Sequence, residues 1–152
     1  MVEIKLPDKV KDLIEGSIFN IEDSVDDSQL ARFLFYVPTV VKEYGLAIAE
    51  LRRNKRSLEG KIMKLEGELE ILEGSIVLDL DTSIYKNDTL RSARVASDEQ
   101  VVDLKNKILA LKREKLDVES DVDELTEMYW SFKTLKDSLE SITKLRVSER
   151  SF

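Results

Sequence analysis

From Val41 onward, apolar residues recur at alternating steps of three and four: Val41, Tyr44, Ile48, Leu51, Leu58, Ile62, Leu65, Leu69, Leu72 and Ile76, with Lys55 as the polar member. A second series follows the same alternation: Val101, Leu104, Ile108, Leu111, Val118, Val122, Leu125, Tyr129 and Phe132, with Lys115 as its polar member. It continues through Leu135, Leu139 and Ile142, and the two successive steps of three around Phe132 predict a stammer. Sustained 3-4 alternation keeps one apolar seam facing a partner helix, so the pattern predicts two long coiled-coil helices.

Between the two series the heptad lapses. Asp79, Asp81, Asn87 and Asp88 supply turn formers, Thr89 is placed to cap a short helix over 90–95, and Ser97-Asp98-Glu99-Gln100 fits a capping box. If the chain reverses here, residue 76 faces 101, 62 faces 115 and 48 faces 129. Arms of ~40 residues would each span ~60 Å, making a rod. The predicted fold is all-α: a long antiparallel helical hairpin over residues 39–152, with its tip at 79–98 and short N-terminal helices in residues 1–38 at its base.

In those first residues, Pro7 suits the first turn of a small amphipathic helix carrying Val10, Leu13 and Ile14, which Gly16 would stop. An acidic segment, 22–28, precedes a second helix over 29–37. Asp27 or Ser28 is placed to cap it, and Pro38 to end or kink it. In Leu30, Phe33, Leu34, Phe35, Tyr36 and Val37 almost every side is apolar, so the segment must pack against something. Leu30, Phe33, Leu34 and Tyr36, together with Trp130, are therefore the expected oligomer or partner contacts. In the hairpin register Trp130 falls near Tyr44 and is expected to pack beneath 33–37; its functional alternative is a platform for a stacked base.

Charge and composition narrow the chemistry. The 152 residues include no Cys and no His, which removes disulfides, thiolate metal sites and the common nucleophile–base dyads. No glycine-rich phosphate cradle is present. Carboxylates are plentiful, but a two-helix rod offers no water-shielded pocket to tune them. The sequence therefore predicts no enzyme, metal site, cofactor or small-molecule substrate. Residues 1–16 hold no unbroken apolar stretch, and no run nears the ~18–20 residues of a bilayer span, so a non-membrane, cytoplasmic protein is expected.

The net charge of −7 argues against indiscriminate adhesion to nucleic acid. The cluster Arg52-Arg53-x-Lys55-Arg56 has the look of a nucleic-acid patch, but in the hairpin register residues 52–64 face the stretch 117–127, which carries Asp117, Glu119, Asp121, Asp123, Glu124 and Glu127 and no base, and this favours a paired flank. Lys105, Lys107, Lys112 and Arg113 similarly fall across from Glu66, Glu68, Glu70 and Glu73. Lys55 and Lys115 read as seam residues that fix register at some cost in stability. At the tip, Lys86, Arg91 and Arg94 form a small basic cluster, either a nucleic-acid contact or a solvated loop end. Leu46, Ala47, Ala49, Leu78, Leu80, Val102, Leu109 and Leu116 lie beside the seams and are expected to widen the apolar stripe, through which hairpins would assemble into a homo-oligomer.

The order of parts is an aromatic helix (Leu30–Val37), a long heptad helix, a tip with Asn87-Asp88-Thr89-Leu90-Arg91 and Ser97-Asp98-Glu99-Gln100, and a return helix with Tyr129-Trp130-x-Phe132 and Leu135. Over roughly residues 27–146 this layout resembles the bacteriophage recombination-mediator family of small coiled-coil proteins, which help load a recombinase onto single-stranded DNA. The resemblance implies a homo-oligomer in the host cytoplasm that binds single strands along basic surfaces and contacts a recombinase and a single-strand-binding protein. Because Glu66 to Asp81 contains no Lys or Arg, Lys86, Arg91 and Arg94 would have to stand in for the family's basic residues near the tip. The other reading from sequence is a protein-binding helical rod, either an assembly component or an acidic inhibitor of a host protein.

Overall fold

The computed structural model of the chain describes residues 26–151; the short helix expected after Pro7 lies outside them. The described residues form three helices and no strand: α1 (Asp27–Asp79), α2 (Asp88–Ser97) and α3 (Glu99–Arg150).

Side-chain caps set each start, one residue or more away from the expected positions. At α1 the cap is Asp26, not Asp27 or Ser28. The Gln29 amide donates to Asp26 Oδ1 at 2.7 Å, and the Asp26 amide donates back to Gln29 Oε1 at 3.2 Å, a reciprocal capping box. At α2 the cap is Asn87 rather than Thr89, its Oδ1 accepting from the Leu90 amide at 2.9 Å. At α3 Asp98 caps, accepting from the amides of Gln100 and Val101, while the Ser97 hydroxyl turns back to the Arg94 carbonyl. In each case an Asx side chain, short enough to reach the free amides, took the position.

Pro38 does not end its helix; α1 runs through it. Without an N–H, Pro38 cannot donate to the Leu34 carbonyl, and a proline ring in a helix interior crowds the carbonyl four residues back, a defect of ~3 kcal/mol. Against it stand Leu30, Phe33 and Val37 before the proline and Val40 and Tyr44 after it, all buried on one helix face. At ~1.5–3 kcal/mol per fully buried large apolar side chain, that face outweighs the defect. The seam thus starts at Leu30, eleven residues earlier than the heptad pattern suggested. Its member near residue 40 is Val40, which is 1% exposed, rather than Val41, which packs at the edge.

The chain divides into two compact units. Among the described residues, one comprises 26–51 with 121–151, and the other Arg52–Ser120. In the first, Leu30, Phe33 and Val37 pack on the fully buried Leu139, with Leu34, Val41, Leu135 and Ile142 around them. The rings of Tyr44 and Phe132 stack with centroids 5.4 Å apart. Asp27 accepts a hydrogen bond from Arg146 at 3.0 Å and is also paired with Arg150. In the second unit Leu58, Ile62, Val95, Val101, Ile108 and Val118 are buried. Ion pairs in this unit join Lys55 to Glu119, Glu59 to Lys115, Glu66 to Lys112 and Glu73 to Lys105.

Candidate functional site

Where an apolar seam is interrupted by charge, the interruption has to be compensated locally. In the second unit Lys55 and Lys115 take seam positions and remain about one-third exposed, their stems lying along the seam and their ammonium groups reaching outward. Lys55 Nζ lies 3.0 Å from Glu119 Oε1; Lys115 Nζ lies 3.3 Å from Glu59 Oε1 and 3.9 Å from the same Glu119 oxygen. The hydrogen bond from Lys55, reinforced by the charges of both lysines, holds the Glu119 carboxyl below its usual pKa. The structure thus brings Lys55 and Lys115 into one four-residue charge network.

The three tip cations are placed differently. Arg91 donates to the Tyr85 carbonyl at 3.2 Å and pairs with Asp88 at 3.4 Å. Arg94 lies 3.7 Å from Asp98. Lys86 is exposed and has no ion pair among the described residues. Two of the three are therefore engaged by neighbouring acids, which lowers the positive field the tip presents.

Of the expected contact residues, Leu30 and Phe33 are consumed in the core around Leu139, and Leu34 and Tyr36 are half-buried. Trp130 does not pack beneath 33–37. It is 55% exposed, set edge-on to Tyr129, with Lys133 Nζ 4.8 Å from its ring centroid. One residue past Tyr129, it is rotated ~100° off the seam, and Leu139 fills the place against Leu30, Phe33 and Val37. Phe35 is exposed as well.

Of the apolar residues expected to widen the seam, Ala47 and Leu80 are half-buried, while Leu46, Ala49, Leu78, Val102, Leu109 and Leu116 are exposed. Met63 and Ile71 join them, at 72% and 75%. On this same outward side of α1 stand Gly60, Gly67 and Gly74, seven residues apart, and a Cβ at any of them would meet nothing within 4 Å. Each glycine costs an interior helical turn ~1 kcal/mol relative to alanine, and no contact among the described residues requires one. Neither Met63 and Ile71 nor the glycines stood out in the sequence, because they lie off the seam; the seven-residue spacing of the glycines, out of phase with it, was the available signal. Arg52, Arg53, Arg56, Lys61 and Lys64 are exposed on α1 and carry no ion pair among the described residues. The expected paired flank is thus represented in this unit by Lys55 and Glu119, with the other bases free.

Recesses are open grooves. One lies between Glu66, Leu69, Lys105, Ile108, Leu109 and Lys112; another lies beside Leu30, Leu34, Arg146 and Val147. Among the described residues no cluster of three acids is placed to hold a metal, and no helix is long and apolar enough to cross a membrane.

No protein-family model, curated protein or solved structure matches this chain. The arrangement of its own side chains is what bears on function. That arrangement offers exposed rows of apolar and charged residues on long helices.

Proposed function

We propose that the chain is a non-enzymatic protein-binding module: its two long helices form an antiparallel coiled-coil hairpin, and its contacts are made by the outer helix faces. The observation that carries this reading is the exposure of Met63, Ile71, Leu78, Leu109 and Leu116 on helices whose seams are already filled. Large apolar side chains standing in rows on a soluble surface favour burial against a partner.

The antiparallel direction is supported inside each unit separately. In the second unit the partners of residues 55, 59, 66 and 73 are 119, 115, 112 and 105, so one number falls as the other rises. In the first, Asp27 lies with Arg150 and Tyr44 with Phe132. Because the chain has no native cysteine, the double variant Glu66→Cys, Lys112→Cys can be bridged cleanly by a short bismaleimide. An intramolecular bridge at single-chain mass is expected; two reactive thiols that never bridge would remove the hairpin.

A second reading has its own observation. The exposed, unpaired row Arg52, Arg53, Arg56, Lys61 and Lys64 supports a phage recombination accessory protein that binds single-stranded DNA and a recombinase in the host cytoplasm. Fluorescence anisotropy with a labelled oligothymidine separates the two. The protein-binding reading expects no measurable complex near physiological salt. A complex that weakens steeply with salt, and is lost in Arg52→Glu, Arg53→Glu, Arg56→Glu, would favour DNA.

A further inference from the structure

We propose that the outward face of α1 between Arg52 and Asp79 pairs with the same face of a second copy of this chain, antiparallel, about a two-fold axis at Gly67. The inference rests on the protein-binding reading above and names its partner.

Charge decides both the occupant and the direction. Residues 52–64 contain six bases and one acid, whereas residues 65–79 contain five acids and no base. Lys55, Glu66 and Glu73 are engaged inside the chain. The exposed remainder still divides cleanly, with Arg52, Arg53, Arg56, Lys61 and Lys64 on one side of residue 65 and Glu68, Glu70 and Asp79 on the other. A parallel copy would set base against base and acid against acid. An antiparallel copy centred near this inversion, at Gly67, sets the basic stretch 55–64 against the acidic stretch 70–79, with Glu66 and Glu68 sharing layers at the centre, and the two-fold axis makes every contact twice.

The apolar and small residues obey the same centre. With Gly67 meeting Gly67 of the copy, Gly60 meets Gly74, Met63 shares a layer with Ile71, and Lys64 shares one with Glu70. The exposed side chains of Met63 and Ile71 are the large apolar ones nearest the axis. Leu78 reaches the layer of Arg56, whose aliphatic stem can cover it. The three glycines then have a use that the chain alone does not give them. They bare the helix backbone along the central line of contact and let the two helices approach closely, with Met63 and Ile71 filling the flanks.

The test is charge exchange in the full chain, read by sedimentation velocity with far-UV circular dichroism as the check on folding. Wild type is expected to be a dimer at low ionic strength. Lys64→Glu and Glu70→Lys, each alone, place like charges in two symmetric layers and are expected to raise the dimer dissociation constant about tenfold or more. An equimolar mixture of the two single variants is expected to recover a heterodimer, since only in this register do positions 64 and 70 of one chain, both acidic, meet positions 70 and 64 of the other, both basic. Gly67→Leu, whose side chain has open space within its own chain, is expected to retain helicity and lose the dimer. The proposal is overturned if wild type stays at single-chain mass at its highest soluble concentration, if neither charge variant weakens the dimer, or if the mixture fails to recover it. Single-chain mass together with an intact 66–112 bridge removes the self-pairing and leaves the protein-binding reading standing. Single-chain mass with Lys64-dependent capture of oligothymidine removes both.

Discussion

Lys55 Nζ and Glu119 Oε1 lie 3.0 Å apart at a level of the α1 seam where a charged side chain stands in an apolar row. Lys115 shares that carboxylate at 3.9 Å and holds Glu59 at 3.3 Å, so acids stand between two like charges contributed by α1 and α3. Because all four side chains are roughly a third or more exposed, solvent screens their attraction and leaves it weak. A leucine in the same place gains more from burial.

The double variant Lys55→Leu, Lys115→Leu is therefore expected to be more stable than wild type by ~1–3 kcal/mol, since Glu59 and Glu119 are exposed enough to be rehydrated. Thermal unfolding followed by circular dichroism checks this. A lowered melting temperature would mean that the network contributes more than the apolar contact that replaces it.

Acid should weaken the fold through carboxylates with lowered pKa, among them Asp81, which accepts from the Ser83 hydroxyl and amide, and the two that tie separate helices together. The Asp27 carboxyl is held below its usual pKa by hydrogen bonds from Arg150 and Arg146, and Glu119 by Lys55. A carboxylate whose folded pKa is depressed contributes stability above its unfolded pKa, and that contribution is lost as pH falls through the folded value. Melting temperature should therefore fall below about pH 4, and the fall should be shallower in Asp27→Asn and in Glu119→Gln. Equal acid slopes in wild type and both variants would assign the loss to other groups.

Depth of burial separates the two rows of apolar residues. Leu139 is fully buried against Leu30, Phe33 and Val37, and Leu139→Ala is expected to cost ~2–5 kcal/mol in the unit that contains it. Leu78 is 86% exposed, so Leu78→Ala should change denaturant stability at low protein concentration by less than ~0.5 kcal/mol. Chemical denaturation of both variants tests the contrast.

The buried stripe was legible in the sequence because a 3-4 alternation places residues on one face of a helix, and Ile48, Leu58, Ile62, Ile108, Val118 and Phe132 are buried on it. The pairs Glu66–Lys112 and Glu73–Lys105 likewise follow from charge counted against register. Three things were hidden. The helix through Pro38 depends on burial by Leu139, about a hundred residues further along, which no local rule contains. The caps at Asp26, Asn87 and Asp98 sit among several Asx, Ser and Thr neighbours that a sequence cannot rank. The outward row of Met63, Ile71 and the three glycines was visible as spacing, but its exposure is a property of the folded helix.

Replacing Pro38 tests how far packing overrides propensity. Pro38 is only half-buried, so Pro38→Ala gives up little apolar contact, and it restores an N–H able to donate to the Leu34 carbonyl inside α1. Relief of the ring's crowding of that carbonyl acts in the same direction, whereas the greater freedom of alanine in the unfolded chain opposes both by ~1 kcal/mol at most. The balance favours the variant by ~1–2 kcal/mol relative to a full proline defect of ~3. Melting temperature should rise and amide exchange around residues 34–40 should slow. A lowered melting temperature with undiminished helicity would show instead that Val37, Val40 and Leu139 pack best around the local geometry the proline imposes.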